Sequence, residues 1–185
     1  MKKISAVAVY LGSKYGTLPD FAEVANKTGR MLAENGIAVV YGGTNLGTMT
    51  ALADGVRSVG GELTGVIPEI FINQSSTYGN LTKCIKTQDL TERKSTMEEL
   101  SQAAVILPGS YGTMDELFEY AVNNQLYKLN RPIFVLNYKG FYDPFFKQLD
   151  VMEEYGFLTT GLKSMFVSCD SVAEVVDNIL KINTL

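Results

Sequence analysis

Three glycine-bearing runs in this chain each follow a short apolar stretch: Leu11-Gly12-Ser13, Tyr41-Gly42-Gly43-Thr44-Asn45-Leu46-Gly47 and Leu107-Pro108-Gly109-Ser110-Tyr111-Gly112-Thr113. Each places exposed backbone N–H groups near the start of a helix. Glycine lets the backbone approach a phosphate closely, and the helix dipole and unpaired amides then favour negative charge. None of the runs matches GxGxxG with its downstream acid, or the GxxxxGK[ST] loop, which disfavours a dinucleotide oxidoreductase and an ATPase. Any one of them also serves as a plain strand-to-helix turn. Three at one sheet edge shift the balance toward a ligand.

Two further residues could do chemistry beside such a loop. Thr113-Met114-Asp115-Glu116 reads first as a capping box, with Thr113 capping the helix and Glu116 reaching back. A carboxylate there is also within reach of a bound ribose, where it stabilises an oxocarbenium-like transition state or activates water. Upstream, Arg93 and Lys94 fall in the first turn of a helix, where the dipole disfavours cations, although Glu92 and an Asp89 cap partly offset this. Leu90, Arg93, Met97 and Leu100 share one helical stripe. Arg93 is therefore either a snorkelling side chain or a guanidinium pinned toward a ligand or subunit interface. The chain has no histidine. That removes Ser-His-Asp and Cys-His catalysis, HExxH metal sites and a histidine base together, so acid/base work falls to carboxylates, Lys, Tyr or water.

The elements that must position these residues follow from hydrophobic patterning. Continuous apolar runs at 4–11, 37–41, 63–67, 104–107, 133–136 and 165–167 predict strands buried on both faces. Helices are expected at 19–34, 46–59, 90–102, 113–127, 141–155 and 171–182, with Pro19, Gly36 and the box Ser171-x-x-Glu174 marking boundaries. Repeated strand-helix units predict an α/β fold, a Rossmann-like doubly wound and mostly parallel sheet flanked by helices, with its ligand beyond the carboxyl ends of the strands. The stretch 73–80 reads as a surface loop.

Composition narrows the partners. At 185 residues and 46% hydrophobic content, the expectation is one domain over 1–185. Sixteen basic against twenty acidic residues, formal charge −4, lack the footprint of a nucleic-acid binder, so an anionic ligand must be held locally. Cys84 and Cys169 suggest neither zinc nor disulfide, which fits a reduced cytoplasmic protein. The run at 4–11 reads as a buried strand rather than a signal peptide, and no stretch is long enough to span a bilayer.

Taken together, Tyr41-Gly42-Gly43-x-x-x-Gly47-x-Met49, Gly65-Val66-Ile67-Pro68, Glu92-Arg93-Lys94-x-x-Met97 and Pro108-Gly109-x-x-Gly112-Thr113-x-x-Glu116 resemble the Lonely Guy (LOG) family, long labelled lysine decarboxylases. The similarity extends through Leu136-Asn137-x-x-Gly140-Phe141-Tyr142 and Gly156-Phe157. It implies a phosphoribohydrolase that releases base and ribose 5-phosphate from cytokinin riboside monophosphates or AMP, and no motif in the chain requires a metal or an organic cofactor. It also implies Arg93 and Glu116 as the catalytic pair and Lys94 as an aid to substrate binding. Gly109, Ser110, Tyr111, Gly112 and Thr113 would hold the phosphate, alongside the turns Gly12-Ser13 and Gly42-Gly43. A homodimer with active sites near the subunit interface is implied as well. The chain departs from the family pattern at Ser110, at Leu90-Thr91, at Val122-Asn123 and near Ser75. These departures keep a second expectation open, a non-catalytic nucleotide or cofactor carrier, with base exchange as a third.

Overall fold

Short apolar runs alternating with amphipathic ones build, in the computed structural model, one seven-stranded sheet in which every strand pair is parallel. The structure describes residues 3–72 and 76–184. In chain order the elements are β1 (Ala6–Tyr10), α1 (Asp20–Glu34), β2 (Ala38–Tyr41), α2 (Gly47–Ser58), β3 (Leu63–Pro68) and the single turn α3 (Glu69–Ile72). There follow β4 (Lys83–Thr87), α4 (Leu90–Glu99), β5 (Ala103–Ile106), α5 (Tyr111–Tyr127), β6 (Ile133–Leu136), α6 (Asp143–Glu154), β7 (Phe166–Cys169) and α7 (Val172–Thr184).

The spatial order β4-β3-β2-β1-β5-β6-β7 reverses direction between β1 and β5. Neighbouring crossovers leave to opposite sides there, opening a crevice beyond the carboxyl ends of those strands. Alternate residues of β1 feed the two cores. Val7 and Val9 pack with Leu32, Leu52, Val56 and Val176 beneath α1, α2 and α7. Ala8 and Tyr10 pack with Met97, Leu117, Tyr120 and Leu149 beneath α4, α5 and α6. Burial on both faces explains why the central strands read as continuous apolar runs. Helices α1 and α2 lie so close that a Cβ on Gly29 or Gly55 would overlap the facing backbone carbonyl.

The doubly wound α/β architecture matches the patterning, with three corrections. Strand β4 has no apolar run. It is an edge strand with Lys83, Cys84 and Lys86 exposed, and edge charges guard against unwanted pairing at the cost of the hydrophobic signal. The last strand runs Phe166–Cys169, not 165–167. Helix α5 starts at Tyr111, two residues before the expected 113, and no side chain caps it. The Thr113/Glu116 capping box therefore does not form. Thr113 already lies inside the helix, and the Glu116 carboxylate is turned to Arg93. The box at the other end of the chain does form: the Glu174 N–H donates to Ser171 Oγ at 3.2 Å, and Glu174 Oε2 accepts from the Asp170 N–H at 2.8 Å. Gly36 follows α1 at φ +69°, the left-handed C-terminal position expected of it.

Candidate active site

The crevice at the strand reversal is a cavity of about 500 Å3, in the size range of small-molecule sites. The turns after β1, β2 and β5 supply its rim, through Gly12 and Ser13, Gly42 and Thr44, and Ser110. The β1 and β5 turns are tied together, because the Gly12 N–H donates to the Pro108 carbonyl at 3.2 Å. A Cβ on Gly109 would overlap Thr113 and crowd the Gly12 nitrogen, so Gly109 shapes the rim by staying out of the way. The two glycines of the β2 turn divide the roles left open by their spacing. Gly43, at φ +71°, lies so close to Ile67 and Gly65 that any side chain would collide, which makes it a packing residue. Gly42 faces the cavity, 3.8 Å from the Arg93 guanidinium carbon as measured from where a Cβ would stand.

At α5 the first helical amides have no intrahelical acceptor and no capping side chain, so the N–H groups of Tyr111, Gly112 and Thr113 and the positive end of the dipole meet at the Ser110–Thr113 turn. Nothing lies within 4 Å of a Cβ built on Gly112, the space an anion would enter. Gly112 and Thr113 border the cavity, whereas the Tyr111 side chain points into solvent, 93% exposed.

One turn further along α5, Glu116 is buried and accepts a hydrogen bond from Arg93 Nη2. Both residues line the cavity. Arg93 stands in α4, whose N-terminus is secured by Asp89: its Oδ1 accepts from the Glu92 N–H at 2.8 Å, and Glu92 Oε2 accepts from the Gln88 N–H at 2.6 Å. On the apolar stripe, Met97 is wholly buried while Leu90 remains half exposed at the cavity wall. Arg93 does not snorkel to water. Burial lowers its affinity for a proton, its Nε is buried without a partner, and its charge is spent on Glu116. Such an expense is met in folded proteins where a polar pair has work to do.

Lys94 points elsewhere. Its ammonium bonds Asp115 at 2.9 Å and pairs with Glu119, along α5 and outside the cavity. Leu46 and Phe71, not singled out in the sequence, and Met49, which stood there only within the family motif, supply an apolar part of the lining, with Ser76. Their signal was faint, because single apolar residues in loops and helix starts look like any packing residue. The 76–78 segment is fastened over the β2 turn. The Tyr78 N–H donates to the Gly43 carbonyl at 2.9 Å, and the Asn45 N–H donates to the Ser76 carbonyl at 2.7 Å. Ser75 lies outside the described residues. Among the described residues no group of three or more His, Cys, Asp or Glu is placed to hold a metal ion, and no helix is long and apolar enough to cross a membrane.

A family profile described as possible lysine decarboxylase matches residues 49–179. The cytokinin riboside 5′-monophosphate phosphoribohydrolase LOG of Oryza sativa subsp. japonica is 32% identical over 92% of this chain and 70% of its own. The enzyme of that name from Rhodococcoides fascians is also 32% identical, over 90% of this chain and 85% of its own. Among solved structures, the molybdenum cofactor carrier protein of Chlamydomonas reinhardtii superposes with a TM-score of 0.74 at 20% identity, covering 97% of this chain and 98% of that one. The molybdenum cofactor binding protein of Rippkaea orientalis does so with 0.73 at 19%, covering 98% of each. At those identities the structures share the fold.

Proposed function

The chain belongs to the LOG family, and on that footing we propose that it hydrolyses the N-glycosidic bond of a nucleoside 5′-monophosphate to free base and ribose 5-phosphate. One observation carries the reading: the Arg93–Glu116 pair sits in the same cavity as the open amides of the Ser110–Thr113 turn. A 5′-phosphate held by those amides directs the ribose along α5 toward Glu116, and the base against Met49, Leu46 and Phe71.

As the bond from the anomeric carbon to the base nitrogen breaks, its electron pair leaves with the base and positive charge develops on the ribose. The Glu116 carboxylate stabilises that charge and accepts a proton from the attacking water, whose oxygen bonds the anomeric carbon. The departing base nitrogen takes up a proton from solvent, and Glu116 returns the proton it accepted to solvent, so that one water is consumed and the carboxylate is regenerated. Arg93 holds the carboxylate ionised and aimed, since a guanidinium bond fixes both charge and direction. With its ammonium on Asp115 and Glu119, Lys94 acts on this reading through the α5 surface rather than on substrate.

A second copy of the chain has a face to occupy. Phe118, Val122 and Leu126 follow one another at one-turn spacing on α5 and are 39%, 49% and 66% exposed. An apolar stripe of this kind on a helix flanking the site suits a homodimer.

Mixing the protein with AMP and with isopentenyladenosine monophosphate tests the proposal. Release of free base with an equal amount of ribose 5-phosphate is expected from at least one. Saturable binding of both without release would replace hydrolysis by the carrier reading.

A further inference from the structure

Across the Gly12-Ser13 and Gly109-Ser110 turns from the candidate active site lies a second cavity, of about 260 Å3. Its walls differ in kind from the first. Phe21, Phe141 and Tyr15 line it with Lys14, and no carboxylate contributes. Phe21 and Phe141 meet edge to face, 6.0 Å between centroids at 80°, and Tyr138 steadies Phe21 from another side at 6.3 Å. Thr48 Oγ1 anchors the shared turn by donating to the Gly12 carbonyl at 2.7 Å. Tyr15 and Phe141 are nonetheless 54% and 42% exposed, so aromatic surface beside the rim is left open to water.

Gly12, Ser13 and Ser110 border both cavities. A phosphate on the α5 amides therefore sits between an ion-paired chamber and an aromatic one. The second chamber has about half the volume of the first, room for a planar ring.

We propose that the aromatic cavity is a second subsite of the same centre, taking a planar ring joined to the nucleotide through its 5′-phosphate. The ligand class is thereby widened from nucleoside monophosphates to nucleoside 5′-phosphodiesters bearing a ring on the far side. This rests on the phosphate placement of the reading above, not on hydrolysis. The ring stacks against Phe141 and Tyr15, the bridging phosphate keeps one negative charge on the amides, and Lys14 brings a positive charge to the lining of the same cavity.

The test compares the phenyl and methyl esters of AMP, which carry the same charge and differ in the ring. Calorimetric titration is expected to show the phenyl ester binding about ten-fold more tightly than the methyl ester, the order of one buried aromatic contact. Phe141→Ala and, separately, Tyr15→Ala should each erase most of that advantage and leave AMP binding unchanged. Equal affinity of the two esters overturns the subsite, as does an advantage that survives both substitutions. Base release from AMP by the same preparations separates the two readings. Hydrolysis without a phenyl advantage sinks only the subsite, a phenyl advantage without hydrolysis sinks only the hydrolase, and binding of none of the three nucleotides sinks both.

Discussion

Arg93 on α4 and Glu116 on α5, 23 residues apart in the chain, meet as a hydrogen-bonded ion pair at the wall of the cavity. Helix α4 packs over β3 and β4 and α5 over β1 and β5, on the same side of the sheet, so both side chains reach the crevice at the strand reversal. An amide keeps the shape of Glu116 and one acceptor for Arg93 but carries no charge. Glu116→Gln is therefore expected to lower kcat for AMP or isopentenyladenosine monophosphate by roughly 10²–10⁴, with KM nearly unchanged. Steady-state release of free base measures it, and wild-type turnover in the variant would remove Glu116 from the chemistry.

Arg93→Ala leaves the Glu116 carboxylate buried without its partner. A loss of stability of about 3 kcal/mol is expected, read from urea unfolding at pH 7. Replacing both groups by apolar ones, Arg93→Met with Glu116→Leu, should recover most of that stability and still release no base. If the double variant is as unstable as Arg93→Ala, something other than the orphaned charge sets the cost.

If the α5 amides hold the 5′-phosphate, that group supplies a large part of binding. Adenosine should be processed at least a hundred-fold less efficiently than AMP, about the worth of two charge-assisted hydrogen bonds. Comparable kcat/KM for the two would move the anion away from the Ser110–Thr113 turn.

The two glycines of the Pro108–Thr113 run should respond differently to the same added methyl group. A Cβ on Gly109 overlaps Thr113, so Gly109→Ala is expected to cost roughly 1–3 kcal/mol in stability. A Cβ on Gly112 meets nothing, so Gly112→Ala should melt no lower than the parent while raising KM for AMP several-fold by filling the anion space. Thermal unfolding and initial rates, taken on both variants, decide between packing and ligand roles.

If the α5 stripe is a subunit interface, Leu126→Glu puts a charge on it at little cost to the protomer, because Leu126 is two-thirds exposed. Sedimentation or light scattering should show the parent at twice the chain mass and the variant at once the chain mass. A parent that is already monomeric sinks the interface.

Much of this was legible in the chain itself. The five apolar runs at 4–11, 37–41, 63–67, 104–107 and 133–136 were legible because strands buried on both faces need no alternation, and the glycine turns because phosphate-sized openings and tight strand-to-helix corners both demand small residues. The absence of histidine by itself narrows the chemistry open to the chain. Strand β4 stayed hidden because an exposed edge strand carries lysines where core strands carry valines.

What tertiary structure alone decided is who faces whom. In sequence Thr113-x-x-Glu116 is indistinguishable from the Ser171-x-x-Glu174 box, yet only the latter caps a helix, because α5 starts two residues earlier, at Tyr111, which leaves Thr113 inside the helix and Glu116 turned to Arg93. Likewise Arg93 and Lys94 are adjacent letters. One helical step of about 100° sends the first into the crevice toward Glu116 and the second outward to Asp115 and Glu119. Local propensity fixes that a helix forms. The rotation at which its neighbours trap it fixes which of two cations lines the cavity.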